Sequence, residues 1–130
     1  MDKFTPTIQQ VSADERGEIY VVNLPDDREL VLLHSVAGSQ RGGHSHNVDE
    51  IVVLLSGKMR YHKKYQGLDG HETSFVMTPD GLQDLAAEVG AGSQLQALSI
   101  NHAGDIHMGE FLEDSWVMEW KFSNKGECEN

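Results

Sequence analysis

Residues 38–57, GSQRGGHSHNVDEIVVLLSG, constrain the fold of this chain more than any other segment. Their second half, 50–56, has five successive apolar residues at 51–55, on both faces of the segment, and is followed by Gly57, which is typical of a strand buried between two layers. Just ahead of the apolar run, His44, His46 and Glu50 stand at positions i, i+2 and i+6. On an extended strand these side chains point to one face, with a step of about 6.6 Å per residue pair. Two imidazoles and a carboxylate on the inner face of a sheet are suited to begin a divalent-metal site.

Most of the remaining sequence also has the periodicity of strands, separated by turns rich in glycine and proline. The predicted strand segments are 17–24, 29–36, 58–65, 71–79, 94–101 and 115–122. In the last of them one face is formed by Trp116, Met118, Trp120 and Phe122, and we expect its two tryptophans to build the core or a dimer interface. Residues 81–89 differ, because Asp80 and the spacing that follows predict a short helix. Many short strands with Gly-rich turns predict an all-β sandwich or small barrel.

Composition narrows the functional classes. The chain has 130 residues, which suits one domain, and a polar end at 123–130 that we expect to fray. Its 21 acidic against 10 basic residues give a net charge of −11, so nucleic acid and anionic membrane are poor partners. Cys128 is the single cysteine, and no segment has the apolar length of a signal peptide or membrane span. We expect a cytoplasmic protein without disulfides.

Five anchor residues give a specific family resemblance. Gly38, His44, His46, Glu50 and Gly57 match the first motif of the cupin superfamily: Gly, five residues, His-x-His, three or four residues, Glu, six residues, Gly. The chain therefore resembles RmlC-like cupins. The resemblance implies an all-β, single-domain double-stranded β-helix (the cupin jelly-roll barrel) over residues 1–130, with the helix at 81–89 as an insertion.

The second cupin motif is degraded here, and two frames compete for its ligand histidine. The frame at 102–107 supplies His107, whereas the frame at 79–84 places Asp84 at the ligand position. We prefer His107, because it is an imidazole and because a predicted strand follows it. The resemblance then implies a metal site that contains His44, His46, Glu50 and His107. Such a set suits a divalent ion of iron, manganese, zinc or nickel and leaves positions open for substrate.

A narrower resemblance concerns cupins that epimerise or isomerise nucleotide-linked sugars. Residues 41–44, Arg-Gly-Gly-His, and the segment 14–22 are similar to the entry loop and opening segment of those enzymes. The resemblance implies that His44 acts as a base and that Arg41 binds phosphate. These roles conflict with metal binding, since a metal-bound His44 has no free lone pair. We favour the metal role, with sugar chemistry as its use.

The strand after Gly57 adds two further candidate catalytic residues, Tyr61 and His62. Either Tyr61 or the pair Arg60 and His62 faces the barrel interior, and strand register decides between them. Small barrels of this kind often pair through an edge strand, so we also expect a homodimer.

Three functions remain open at this point. The favoured one is an enzyme that acts on a small polar, carbonyl-bearing substrate such as a sugar or nucleotide-sugar, in the manner of an isomerase or epimerase. It predicts a basic rim that includes Arg41. The alternatives are a metal-dependent dioxygenase, which would use iron and an apolar pocket, and a non-catalytic module that binds a small ligand. The fold alone does not decide among them.

Overall fold

The computed structural model describes residues 4–65, 71–80 and 97–122. These residues form ten β-strands whose pairings are all antiparallel. The strands are β1 (Thr7–Asp14), β2 (Gly17–Leu24), β3 (Arg28–Ser35), β4 (Gln40–His44), β5 (Glu50–Ser56), β6 (Met59–Lys64), β7 (Glu72–Met77), β8 (Leu98–Asn101), β9 (Ile106–Phe111) and β10 (Ser115–Lys121). The predicted helix at 81–89 and the predicted frayed end at 123–130 lie outside the described residues. Within the described residues, no helix has the length and apolar character needed to cross a membrane.

The strands form two sheets that face each other. One sheet has the order β1-β2-β3-β10-β5-β8, and the other has the order β4-β9-β6-β7. Side chains from both inner faces meet in one hydrophobic core, made of Leu33, Val52, Leu54 and Val117 from the first sheet and Met59, Tyr61, Met77 and Phe111 from the second. This arrangement confirms the predicted all-β fold.

Strand β5 has the bounds that its apolar run predicts, Glu50–Ser56. It pairs with β10 on one side and β8 on the other, and Val52, Val53 and Leu54 are buried. Strands β1, β4 and β9 were not among the predicted segments. Most of β1 is exposed and β4 contains two adjacent glycines, so neither carries the apolar alternation that marks a half-buried strand.

Strand β10 turns its aromatic face away from the core. Val117 is 2% exposed and packs in the core, whereas Trp116 is 37% exposed. The Trp116 ring lies on the outer face, with its centroid 5.9 Å from that of Tyr20 and 4.9 Å from that of His34. Of the two expectations for Trp116, the core or a dimer interface, the structure excludes the core. The alternation of residues defines two faces of β10. It does not identify the inner face, because the outer face also carries large aromatic residues.

The apolar core and the polar residues occupy different ends of the space between the sheets. On β10, Val117 lies opposite Leu54, while Lys121, four residues on, lies opposite Glu50. On the facing sheet, His107 stands near the start of β9 and Phe111, a core residue, at its end. The fold therefore fills one end with hydrophobic side chains and gathers histidine and carboxylate groups at the other.

Candidate metal centre

Three histidine side chains converge at the polar end. His44 ends β4, His46 follows two residues later, and His107 lies on β9. One ligand nitrogen of each lies within 4.8 Å of the other two, and the ring centroids are 4.7, 5.0 and 5.6 Å apart. Two nitrogens that share an ion at about 2.1 Å are at most about 4.2 Å apart, so small side-chain rotations would bring all three to one ion.

A β-bulge brings His44 opposite His107. Where β4 pairs with β9, Gly42 lies opposite Met108 and His44 lies opposite His107, which leaves Gly43 as an extra residue on β4. The strands approach so closely that a Cβ on Gly42 would collide with the carbonyl oxygen of His107, and the φ of Gly42 is +109°. Glycine satisfies both requirements, and the bulge re-aims the histidine.

Glu50 is 1% exposed and touches two of the three histidines. Its Oε1 lies 2.8 Å from Nε2 of His107, and its Oε2 lies 3.7 Å from Nε2 of His46. Asn101 donates hydrogen bonds from Nδ2 to Oε1 of Glu50 at 3.3 Å and to the Tyr61 hydroxyl at 2.7 Å. Among the described residues, the set of ligand atoms that all lie within 4.8 Å of one another comes from the three histidines, with Glu50 beside them.

Two buried atoms at this centre lack hydrogen-bond partners within the described part of the chain. They are Nε2 of His107 and Oε2 of Glu50. The 2.8 Å contact between His107 and Glu50 has the length of a hydrogen bond, but the two groups are not oriented to form one. A buried polar atom without a partner is costly, and a cation among these atoms would satisfy both. The donor set of imidazole nitrogens and a carboxylate therefore fits a divalent first-row metal ion.

The electrostatic environment favours the metal-binding form of these residues. Burial lowers the pKa of His44, and the nearby His107 adds to this effect. Burial likewise lowers the pKa of His46, although Glu50 opposes it. Burial would raise the pKa of Glu50, but the adjacent His107 and His46 outweigh it, so that the pKa falls. Neutral imidazoles and an ionised carboxylate are the forms that bind metal ions.

A cavity of about 300 Å³ lies between the two sheets beside His44 and His107. This volume is at the lower end of the range for small-molecule sites. Its apolar wall is formed by Ile19, Val31, Leu33, Val52, Met59, Phe111 and Val117. Its polar side chains come from Arg16, Arg41, His44, Tyr61, His107 and Glu119, and Gly42 and Gly109 complete the lining. The cavity therefore combines a metal-ligand cluster, two guanidinium groups and a carboxyl group in one small space.

Arg41 lies in the cavity lining. Its Nε donates to Oγ of Ser35 at 2.7 Å, and it makes no ion pair with a described carboxylate. Burial lowers the pKa of Arg41, and the positive charge of Arg16 adds to this effect. Arg16 differs, because it forms a salt bridge with Asp14 at 2.6 Å. Arg41 is consequently the guanidinium with capacity left to bind an anionic ligand.

The structure settles the register of β6. Tyr61 is 3% exposed, lines the cavity, and has its ring centroid 6.0 Å from that of His107. His62 lies on the opposite face of the strand, where its ring contacts the carboxylate of Glu110. Of the two candidate catalytic residues on β6, the structure brings Tyr61 to the cavity and does not bring His62 there. The competing ligand Asp84 lies outside the described residues.

Glu119 is a cavity residue that the sequence analysis did not single out. It lies on β10 between Val31 of β3 and Val52 of β5. Burial raises the pKa of Glu119 to about 7, and the negative charge of Glu50 adds to this effect. The signal in the sequence was its position two residues after Val117, which places both side chains on the inner face.

Comparison with known proteins shows similarity at the level of structure. No protein-family model matches the sequence, and no curated protein matches it at a significant level. CapF, a capsular polysaccharide assembling protein from Staphylococcus aureus, matches with a TM-score of 0.67 and 18% identity, over 90% of this chain and 29% of CapF. This chain spans about a third of the CapF chains that it matches.

Two further solved structures are similar over most of their own length. KdgF from Halomonas sp. matches with a TM-score of 0.59 and 13% identity, over 92% of this chain and 90% of KdgF. The Drosophila melanogaster CENP-C cupin domain matches with a TM-score of 0.63 and 10% identity, over 88% of this chain and 75% of that chain. At these identities the likeness concerns the fold.

Proposed function

We propose that this chain, which has the cupin fold, is a metal-dependent enzyme that acts on a small polar, carbonyl-bearing substrate such as a sugar. The reaction class that we favour is isomerisation or epimerisation. The observation that carries the proposal is the convergence of His44, His46 and His107 at the edge of a cavity of about 300 Å³.

The metal ion would be held by the three histidines, with Glu50 in contact with His46 and His107. When bound, such an ion supplies Lewis acidity toward a substrate carbonyl oxygen. The surrounding residues limit what can bind. The cavity is small, and its apolar wall reduces the access of water on one side of the substrate.

Arg41 supports an anionic substrate. Its guanidinium lines the cavity without a carboxylate partner among the described residues, and guanidinium groups bind phosphate and carboxylate through paired hydrogen bonds. The resemblance of residues 41–44 to nucleotide-sugar cupins supports the same assignment. So does the likeness to CapF, whose own name refers to polysaccharide assembly, although this chain covers 29% of that protein.

One observation favours a second function, a metal-dependent dioxygenase. Seven apolar side chains line the cavity, and an apolar pocket beside an iron site is what that function needs. The charged groups in the same cavity, Arg41 and Glu119, instead favour polar substrates. We therefore rank the isomerase or epimerase first.

One experiment separates these functions. Protein loaded in turn with iron, manganese, zinc or nickel is incubated in deuterated water with a panel of aldoses, ketoses and their phosphates. Proton NMR then follows exchange at the carbon next to the carbonyl, while an electrode follows oxygen. The proposal predicts metal-dependent exchange without oxygen uptake. Oxygen uptake with iron alone would support the dioxygenase, and ligand binding without any turnover would support a non-catalytic module.

The predicted homodimer has a candidate contact surface in edge strand β1. Ile8 and Val11 on this strand are 62% and 52% exposed. We propose that a second copy of the chain covers them, because an exposed apolar edge strand is prone to pairing. Light scattering coupled to size-exclusion chromatography would test this, with Val11→Lys expected to shift the mass toward the monomer. A monomeric mass for the unmodified chain would contradict it.

A further inference from the structure

Glu119 occupies a central place in the cavity wall. Its strand, β10, lies between β3 and β5, and the residues opposite it on those strands are Val31 and Val52. Both valines also line the cavity. On β5, Glu50 lies two residues before Val52 on the same face, so Glu119 is a diagonal neighbour of Glu50, at a typical separation of about 7–8 Å. It is therefore close to the metal-ligand cluster without being part of it.

The carboxyl group of Glu119 makes no hydrogen bond or ion pair with any residue that the structure describes. The ionisable groups that influence it from the surrounding strands are Glu50 on β5, Arg41 on β4, His107 on β9, Tyr61 on β6 and Lys121 on β10. Burial between two valines and the charge of Glu50 favour the neutral carboxyl, which explains a pKa of about 7. A carboxyl group without a structural partner is free to interact with a ligand.

Other titratable groups in the cavity are less suited to proton transfer. His44 and His107 contribute their nitrogens to the metal-ligand cluster. The Tyr61 hydroxyl accepts a hydrogen bond from Asn101, and burial raises the pKa of Tyr61 above its ordinary value. Among the described residues that line the cavity, this leaves Glu119 as the carboxyl group without a role in the fold or the metal centre.

We propose that Glu119 is the catalytic acid–base residue, which moves a proton at the carbon next to the carbonyl of an anionic sugar substrate. The inference rests on the proposed function and extends it. The Glu119 carboxylate takes the proton, and the electron pair of the broken C–H bond shifts toward the carbonyl group to give an enolate of the substrate. The same carboxyl group returns a proton to carbon, so no proton is consumed overall. Arg41 holds the anionic group of the substrate.

The matched variants Glu119→Gln and Glu29→Gln test this role. Both replace a carboxylate by an isosteric amide, and Glu29 is exposed on the neighbouring strand β3. General acid–base residues typically contribute about 10²–10⁴-fold to a rate. We expect Glu119→Gln to lower the rate of deuterium exchange at least 100-fold, with about the same metal content and substrate affinity, and Glu29→Gln to change none of these. Circular dichroism confirms that both variants fold.

The outcomes separate this inference from the proposed function. Exchange by Glu119→Gln at the rate of the unmodified chain would overturn the inference and leave the proposed function standing. If neither the unmodified chain nor Glu119→Gln exchanges deuterium with any metal or substrate of the panel, both the inference and the proposed function are overturned. Loss of bound metal in Glu119→Gln would also overturn the inference, because it would assign Glu119 to the metal centre.

A second readout does not depend on turnover. Metal-free protein with ¹³C-labelled glutamate carboxyl groups is titrated by NMR, and the Glu119 resonance is assigned as the one missing from Glu119→Gln. We expect this carboxyl to titrate between about pH 6 and 8, where an acid–base residue is most effective. Titration near its ordinary pKa of 4.5 would contradict the inference.

Discussion

The Nε2 atom of His107 lies 2.8 Å from Oε1 of Glu50, and the two side chains are only 5% and 1% exposed. The contact is not directed as a hydrogen bond, and Nε2 of His107 and Oε2 of Glu50 have no hydrogen-bond partner within the described residues. A protein gains little from burying such a pair unless a further group binds there. This relationship is the main physical reason to regard the three-histidine cluster as a metal centre.

Replacing Glu50 by glutamine should weaken metal binding. The amide keeps the shape of the side chain but removes the negative charge beside His46 and His107. Loss of a carboxylate that supports histidine ligands typically lowers metal affinity about 10–100-fold. Competition with a chromogenic chelator measures the affinity, and Glu29→Gln is the control. Equal affinities for Glu50→Gln and the unmodified chain would show that Glu50 does not support the metal centre.

The bulge at Gly43 leads to a prediction about two glycines. Gly42 and Gly38 both have positive φ, +109° and +89°, but only at Gly42 would a Cβ collide with another backbone segment, at the carbonyl of His107. We expect Gly42→Ala to lower the free energy of unfolding by about 2–4 kcal/mol and to weaken metal binding, because it displaces β4 from β9. Gly38→Ala introduces backbone strain without a collision, so it should lower the free energy of unfolding by about 1–2 kcal/mol. Urea denaturation measures the free energy of unfolding of both variants. Equal losses in the two would contradict the role of the close contact between β4 and β9.

The sequence predicts the metal centre better than it predicts the cavity. His44, His46 and Glu50 stand in an intact motif, and β5 follows from its apolar run with the correct bounds. His107 could be selected only by comparing two degraded frames. The bulge that places His107 opposite His44 leaves no hydrophobicity pattern in the sequence. It depends instead on two glycines and on pairing with a distant strand.

Glu119 was not selected from the sequence for a different physical reason. The aromatic residues of β10 share one face, which we expected to build the core or a dimer interface, and alternation alone does not say which face points inward. In the structure the Trp116 ring packs on the outer face against Tyr20 and His34. When an interior strand carries apolar residues on both faces, its sequence does not show which face points toward the core.

Arg41 should determine affinity for anionic substrates. Its guanidinium lines the cavity and has no carboxylate partner among the described residues. Replacing it by glutamine removes a charge-assisted hydrogen bond worth about 1.5–3 kcal/mol, so we expect the KM of a phosphorylated substrate to rise about 10–100-fold. The control is Arg60→Gln on the same sheet, since Arg60 is exposed on the opposite face of β6 from Tyr61. An unchanged KM in Arg41→Gln would contradict this role.

Stability without metal should depend on the ionisation of Glu119. Burial raises its pKa from 4.5 to about 7, so between these values the folded chain holds a proton that the unfolded chain has released. The contribution of this group to the free energy of unfolding therefore falls as the pH rises through this window. We expect metal-free Glu119→Gln to be more stable than the unmodified chain at pH 8, by roughly 1–3 kcal/mol, and equally stable near pH 4. Urea denaturation in chelator at both pH values tests this, and a difference that is the same at both would contradict the assignment.

The most direct test of the central claim is the metal content of matched histidine variants. The unmodified chain, His46→Ala, His107→Ala and the exposed control His102→Ala are each loaded with zinc, desalted and analysed by mass spectrometry of the metal. His102 has a side chain that is 67% exposed and lies outside the three-histidine cluster. We predict about one zinc ion per chain in the unmodified protein and in His102→Ala, and less than about a tenth of that in His46→Ala and His107→Ala. Full zinc content in His46→Ala and His107→Ala would contradict the proposed metal centre.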